Sequence, residues 1–180
     1  PLVSFVLLEE LDLEQEKDEF LTVNGKQKGV PLGLQAYLSD DPDSNIAWHL
    51  NEVEGSPFQG TISRTGTKKP GEMYNLHSIG NCVRDTFKHG AFQHFGDEQK
   101  LECLINYWNL IKKHHPDEWS DMEIGKITKF NFKLLELTGW IAWSLVASDI
   151  LRIGYDPDTE DFNWDLISEC IEYMDEIDWS

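Results

Sequence analysis

The sequence predicts an α+β fold that is mostly helical, with a small mixed sheet and a C-terminal helical bundle. Apolar residues recur at helical spacing along most of the chain, whereas only residues 2–8 and 59–64 have the composition of β-strands. Seven Trp and nine Phe among 180 residues are enough to fill one hydrophobic core. We therefore expect residues 1–180 to form a single domain, with an α/β portion over 1–70 and a helical portion over 71–180.

The first element is the strand predicted over residues 2–8, LVSFVLL. This run is almost continuously apolar and rich in branched and aromatic side chains, which is typical of strands buried on both faces. Such a strand needs neighbours on both sides, and only residues 59–64 offer another convincing strand. The pattern therefore predicts further sheet, supplied by a larger protein or by a partner chain.

The most specific stretch is residues 20–38, FLTVNGKQKGVPLGLQAYL. A helix that starts near Leu13 should end at Asn24 and Gly25, and Pro31 is placed to be the first residue of a second helix that runs to the end of the stretch. Between the helices lies a polar corner whose glycines tolerate unusual backbone angles. The stretch therefore predicts helix, polar corner, helix.

Two interpretations of this corner remain open. Asn-Gly and a proline-started helix are ordinary loop signals, which favours a plain connector. Alternatively, Asn24, Gln27 and Lys28 present two amides and a cation on a glycine-flanked corner, an arrangement that brings hydrogen-bond donors close to a ligand. These three residues are the candidate ligand-binding site.

Residues 39–64 are predicted to form a turn, a helix and a strand. A turn cluster over 39–43 is followed by a helix over 45–53, which Asp43 or Ser44 would cap. The side chains expected in the core are Ile46, Leu50, Val53 and Phe58.

The loop at residues 64–71, RTGTKKPG, has no apolar residue and is expected to be exposed. With the polar corner it holds the local positive charge of this half of the chain. If nucleic acid is bound by these residues, the candidate contacts are Lys26, Arg64, Lys68 and Lys69, with Lys28 beside them.

Four longer helices are predicted in the second half, over residues 75–88, 97–115, 128–153 and 162–177. The third of them has the widest apolar face and several small residues that allow close helix packing, so it should form the centre of the core and end at Gly154. The inward-facing residues expected on the four helices are Leu76, Ile79, Val83 and Phe87; Cys103, Tyr107 and Leu110; Leu134, Leu137, Trp140, Ile141, Ser144, Leu145, Ser148, Ile150 and Leu151; and Phe162, Leu166, Ile167, Cys170, Ile171, Met174 and Ile177.

Residue types that could support catalysis or bind metal occur without a telling pattern. His77 and Cys82 lie on different sides of their helix, so they are not placed as base and nucleophile. His114 and His115 precede a proline and are better explained as a helix end, where cations favour the helix dipole. Because neither Cys-x-x-Cys nor His-Glu-x-x-His occurs, we assign no catalytic residue and no metal site.

The net charge of −18 is concentrated at the two ends of the chain. Residues 1–19 carry seven acids against one lysine, and residues 154–180 carry ten acids with no Lys or Arg, whereas residues 20–94 are balanced. Since Lys and Arg provide most non-specific affinity for nucleic acid, the chain alone is a poor DNA-backbone surface. Three widely spaced cysteines, and the absence of a signal-peptide or membrane-spanning pattern, predict a soluble protein of the cytoplasm with no membrane partner.

The order Phe20, Asn24, Gln27-Lys28, Val30 and then a helix resembles a segment of the DGQHR-domain family, whose members include DndB-like proteins of DNA phosphorothioation systems. Weaker similarities follow in the chain, so that the resemblance covers most of residues 2–150. They are Ser56-Pro57-Phe58 with Gly60, a helix near Leu76, residues 106–108 and 116–119, and Thr138-Gly139. The family's naming motif, Asp-Gly-Gln-His-Arg, does not occur here.

This resemblance implies the C-terminal part of a larger protein, or a diverged or truncated member of the family, with a fragment of a ParB/sulfiredoxin-like fold followed by a helical bundle. It implies an accessory or regulatory protein of a DNA-modification or phage-defence system, which meets protein partners or an upstream region and reaches DNA indirectly or through that region. Two alternatives stay open. One is a nucleotide-binding or nucleotide-hydrolysing enzyme, in which the candidate ligand site and the upstream motif would hold a nucleoside triphosphate in the complete protein. The other is an acidic protein-interaction module without chemistry.

Overall fold

The computed structural model describes residues 11–25, 31–65, 69–123 and 132–179. These residues form an α+β fold that is mostly helical, as predicted. The helices are α1 Leu13–Gly25, α2 Leu32–Leu38, α3 Pro42–Glu52, α4 Leu76–Thr86, α5 Asp97–His114, α6 Pro116–Glu123, α7 Leu137–Gly154 and α8 Trp164–Glu172, with short 3-10 helices at Gly90–Phe92 and Lys133–Leu135. The strands are β1 Ile62–Ser63, β2 Tyr74–Asn75, β3 Tyr155–Asp156 and β4 Asp161–Phe162. The strand expected over residues 2–8 lies outside the described residues.

The two helices that flank the polar corner are present. Helix α1 ends at Gly25, which confirms the predicted stop. Helix α2 begins at Leu32, so Pro31 caps the helix instead of being its first residue. The reason is its backbone: ψ of Pro31 is 134°, which is extended, while its carbonyl oxygen already accepts the first hydrogen bonds of the helix, from the amides of Leu34 and Gln35.

Helix α3 starts earlier than predicted. Asp41, and neither Asp43 nor Ser44, is the cap: its Oδ2 accepts from the Ser44 amide at 3.0 Å and from the Ser44 hydroxyl at 2.6 Å. Pro42 then occupies the first helical position, where its missing N–H has no cost. Ile46 is buried as expected, but Val53 is 36% exposed because it already lies past the helix end.

The predicted strand over 59–64 is reduced to two residues. Strand β1 pairs in parallel with β2, with Ile62 opposite Tyr74. The preceding residues turn sharply, and Gly60 has a φ of +74° that favours glycine. Because β1 precedes residue 70 and β2 follows it, this pair joins the two portions distinguished in the sequence. Strands β3 and β4 form a separate antiparallel hairpin.

Helix α4 lies at the centre of the packing and contacts α2, α3 and α7. Its predicted stripe is confirmed, since Leu76, Ile79, Val83 and Phe87 are all buried. Gly80 allows the close approach of α3: a Cβ at this position would lie 2.6 Å from the Ser44 hydroxyl.

Helix α7 begins at Leu137, and not near residue 128. Residues 133–135 instead form a 3-10 turn that folds back onto Gly139, where any side chain would collide with the backbone of Leu134. The buried face is also rotated from the expected one. Ile141 and Leu145 are 43% and 44% exposed, and Leu137 is exposed as well, while Trp143 is buried beside Trp140.

A cluster of aromatic side chains lies within the core. Phe58 lies with its ring centroid 4.1 Å from that of Trp140, and Trp108 lies 4.2 Å from Trp140 on another side. Trp119 and Tyr74 complete the cluster, and the Tyr74 hydroxyl donates to the Leu135 carbonyl oxygen at 2.6 Å. The expectation that Phe58 is a core residue is confirmed.

The acidic C-terminal segment packs against this core. Helix α8 is shorter than the predicted 162–177, because Asn163 caps it and the chain turns after Glu172. Ile167 and Ile171 are fully buried, whereas Ile177 is exposed. Farther on, Trp179 stacks on Trp143 with centroids 6.0 Å apart, so the end of the chain is anchored. Among the helices described, none has the length and apolar character needed to span a membrane.

Candidate functional site

A groove opens at the corner where α1, α2, α3 and α4 meet. It has a volume of about 420 Å³. Its apolar side is formed by Leu21, Leu32 and Ala36, and its polar side by Gln35, Ser39, Asp41, Ser44, His77 and Arg84. The groove therefore lies beside the stretch 20–38 that sequence analysis singled out.

Arg84 is the centre of the polar side. Its Nε donates to Asp43 Oδ2 at 2.9 Å, its Nη2 donates to Asp41 Oδ1 at 3.1 Å, and its Nη1 donates to Asn81 Oδ1 at 2.9 Å. Partial burial would raise the pKa of Asp41, but the hydrogen bonds from Ser44 and the charge of Arg84 outweigh burial and lower this pKa below 3.8. These groups satisfy one another, so Arg84 ties α3 to α4 and offers little to a ligand.

His77 faces the same groove. Its Nε2 lies 3.3 Å from Asn81 Nδ2, an amide donor. The thiol of Cys82 lies on a different side of this helix, and burial raises the pKa of Cys82 to about 11. Burial also raises the pKa of Cys103 far above its ordinary value. Neither thiol is an activated nucleophile.

A second feature lies on the outer face of α2 and α3. The guanidinium carbon of Arg64 is 4.6 Å from the ring centroid of Tyr37 and 5.2 Å from that of Trp48. The two rings meet edge to face at 5.8 Å, and the guanidinium of the exposed arginine lies over both of them. We call these three residues the arginine clamp. No carboxylate in the part of the chain that the structure describes pairs with Arg64.

The other predicted contact residues are only partly described. Lys69 is exposed, and its backbone amide donates to Glu72 Oε2 at 2.8 Å. Asn24 lies in the last turn of α1, but its side chain is not among those described. Lys26, Gln27, Lys28 and Lys68 lie outside the described residues. The candidate ligand site therefore stays a prediction, and the arginine clamp is the part of the predicted contact surface whose geometry is visible.

Sequence reasoning missed the two aromatic partners of Arg64. Tyr37 and Trp48 are half-buried, and other residues form the inward faces of their helices. A large aromatic residue away from the inward face of a helix is the sequence signal that could have identified them. Their proximity to Arg64 depends on how β1 returns against α2 and α3, which no local pattern encodes.

Sequence reasoning also missed a chain of polar groups at the end of α5. Ser168 Oγ lies 2.9 Å from His114 Nε2, and His114 Nδ1 lies 3.3 Å from Asp175 Oδ2. This order of contacts matches the nucleophile, general base and orienting carboxylate of a catalytic triad. Ser168, however, lies within α8, where backbone amides are bonded to the helix itself and cannot stabilise an oxyanion. The contacts therefore tie α5 to α8 and to the C-terminal turn.

His114 and His115 occupy the positions expected for a helix end, because α5 stops at His114 and Pro116 begins α6. Within the described residues, no group of three or more His, Cys, Asp or Glu side chains is arranged to hold a metal ion.

No model of a known protein family, no curated protein and no solved structure matches this chain.

Proposed function

We propose that this chain is an accessory or regulatory protein of a DNA-modification or phage-defence system, as its resemblance to the DGQHR-domain family implies. Its part in that system is contact with nucleic acid and not catalysis. The observation that carries the proposal is the arginine clamp, because Tyr37 belongs to the stretch 20–38 on which the resemblance rests.

The clamp has the physical properties of a phosphate contact. A guanidinium is planar by itself, and packing of its face against aromatic rings leaves the N–H groups at its edge able to meet two oxygens of a phosphate. Stacking on Tyr37 and Trp48 also reduces the number of conformations that Arg64 loses when it binds. An exposed arginine without a described acidic partner is thus already oriented for an anion.

The surrounding chemistry favours contact over catalysis. Arg84 in the nearby groove already donates to Asp41, Asp43 and Asn81, and burial raises the pKa values of the Cys82 and Cys103 thiols. A protein that regulates by contact needs neither an activated nucleophile nor a metal.

A short ligand tests the clamp directly. A thymidine dinucleotide carries one phosphodiester and a single negative charge, so the repulsion from a net charge of −18 is small. We expect the dinucleotide to shift the NMR signals of the Arg64 guanidinium and of the Trp48 indole N–H. Arg64→Ala should abolish the shift at Trp48, and Arg64→Lys should weaken it because lysine cannot form the planar fork.

The matched control is Arg152→Ala, which removes an exposed arginine from the end of α7. This variant should bind like the wild type. Equal losses in the two alanine variants would reduce the effect to overall charge, and no shift in the wild type would contradict the assignment of the clamp as a phosphate contact.

A further inference from the structure

A second, smaller pocket lies far along the chain from the arginine clamp. Its volume is about 140 Å³, and it opens to the surface between α5, the β3–β4 hairpin and the start of α8. Three aromatic side chains and three carboxylates contribute to its wall, together with two amides and a thiol. They are Phe95, Phe162 and Trp164; Glu102, Glu160 and Asp161; Gln99 and Asn106; and Cys103.

The aromatic side chains form two perpendicular walls. The rings of Phe95 and Phe162 are 5.9 Å apart and cross at 81°, and Trp164 lies 5.2 Å from Phe162 with a plane tilted by 36°. Aromatic faces carry negative electrostatic potential, and rings arranged around a cavity attract cations. The geometry is therefore that of a partial aromatic cage.

The charged side chains of the pocket also favour a cation. Glu102, Glu160 and Asp161 are negative at neutral pH, and no Lys or Arg contributes to the lining. None of the three carboxylates forms an ion pair with a described residue. Their combined field attracts a cation and repels a phosphate, so this pocket and the arginine clamp select opposite kinds of ligand.

The inner part of the pocket includes a polar group without a partner. Cys103 is 2% exposed, and no described residue hydrogen-bonds to its thiol. The remaining lining is apolar at the inner end, because Phe95 is buried as well. A ligand with a hydrocarbon part would therefore be desolvated there while its charge meets the carboxylates.

We propose that this pocket binds an alkylammonium group. A cavity of about 150 Å³ is known to accept a molecule the size of benzene, so the volume suits an ammonium head with a few carbon atoms and excludes a nucleotide. The same chemistry is offered by the side chain of a lysine in a partner protein and by a free polyamine. This inference does not depend on the proposed function.

NMR titration with a pair of isosteric probes tests the charge requirement. Choline and its neutral carbon analogue 3,3-dimethylbutan-1-ol have the same shape, and the readout is the indole N–H signal of Trp164, assigned with Trp164→Phe. Choline should shift this signal and the neutral analogue should not. Equal binding of both probes, or of neither, would overturn the proposal.

Two variants on one helix face test the lining. Glu102→Gln should weaken choline binding by up to about fivefold, since Glu102 is exposed and an exposed ion pair changes affinity by at most that order. Glu98→Gln removes an exposed charge one turn earlier on α5, outside the pocket, and should leave the affinity unchanged. Equal effects of the two changes would show that only the overall negative charge attracts the probe and would overturn the site.

The natural source of the ammonium group is distinguished by two further probes. Spermidine represents a free polyamine, and N-acetyl-lysine methylamide represents a lysine within a peptide. The stronger binder at equal concentration identifies the source, and failure of both while choline binds would overturn lysine and polyamine as the natural sources.

Discussion

The ring of Phe58 packs against the indole of Trp140 with centroids 4.1 Å apart and planes inclined by 46°. Phe58 comes from the turn before β1 and Trp140 from the first turns of α7, so this contact joins distant parts of the chain at the centre of the core. Both side chains are almost completely buried.

The first prediction concerns this contact. Trp140→Ala should lower the free energy of unfolding by about 3 to 5 kcal/mol, the usual cost of truncating a buried aromatic side chain. Ile141→Ala, at the neighbouring but 43% exposed position, should cost less than about 1 kcal/mol. Urea denaturation of both variants measures the difference, and similar losses would contradict the observed rotation of α7.

Much of this core could be predicted from residue spacing. The stripe on α4 and the ends of α1 and α5 were identified because glycine, proline and apolar periodicity act locally. The start of α7 was not identified correctly, because residues 133–135 keep an apolar pattern although they form a 3-10 helix. Strand β2 was not predicted, since two residues are too few to show an alternating pattern, and the helix predicted over 75–88 includes only Asn75 of it.

The candidate sites were less predictable for a physical reason. The arginine clamp joins residues from α2, α3 and the segment after β1. The pocket proposed to bind an alkylammonium group joins α5 to a hairpin about sixty residues later. Such sites depend on tertiary packing. From the sequence, Arg64 could be identified as an exposed cation, but its aromatic partners could not.

A second prediction uses the ion pair between Asp41 and Arg84. Asp41→Asn keeps a capping oxygen for α3 but removes the charge that Arg84 meets at 3.1 Å. Because the folded-state pKa of Asp41 lies below 3.8, the stabilisation from its charge is present above that pH and is lost as pH falls through the folded-state pKa. Wild type should therefore be more stable than the variant at pH 7, and the two should converge in acid. A difference that stays constant down to pH 2 would contradict this origin.

A third prediction concerns the buried imidazole of His115. Burial lowers its pKa below 6.5, against the opposing influence of Glu118 and Asp175, while the neighbouring His114 adds to the lowering. The unfolded chain therefore binds more protons than the folded chain as pH falls below 6.5. The stability associated with neutral His115 is complete above that pH and decreases in acid until the folded-state pKa is passed.

Thermal unfolding between pH 5 and pH 7.5 measures this effect. We expect wild type to lose stability toward pH 5 more steeply than His115→Gln, whose side chain does not titrate. The variant will be less stable throughout, so the readout is the slope and not the absolute value. Parallel pH profiles would show that His115 titrates normally in the folded protein.

A fourth prediction concerns duplex DNA. The isolated chain should not bind a labelled duplex measurably in fluorescence anisotropy at physiological salt, because its net charge is −18 and one clamp releases few counterions. Neutralising Glu169, Glu172 and Glu176 to glutamine should not change this result. Helix α8 packs on α5 and α7, whereas Arg64 contacts α2 and α3, so these acids do not mask the clamp. Tight binding by the wild type, or binding that appears only after neutralisation, would contradict this account.

The central claim, that the chain regulates DNA modification or phage defence through Arg64, is tested most directly in the organism that carries it. The codon for Arg64 would be changed to an alanine codon in its own gene, with the Arg152→Ala change as the matched control. The level of DNA modification and the plating efficiency of phage would be measured in each strain. The account predicts that both quantities change in the Arg64→Ala strain, with the protein present at its normal level, and stay as in wild type in the control strain. Unchanged modification and unchanged phage sensitivity in the Arg64→Ala strain would contradict it.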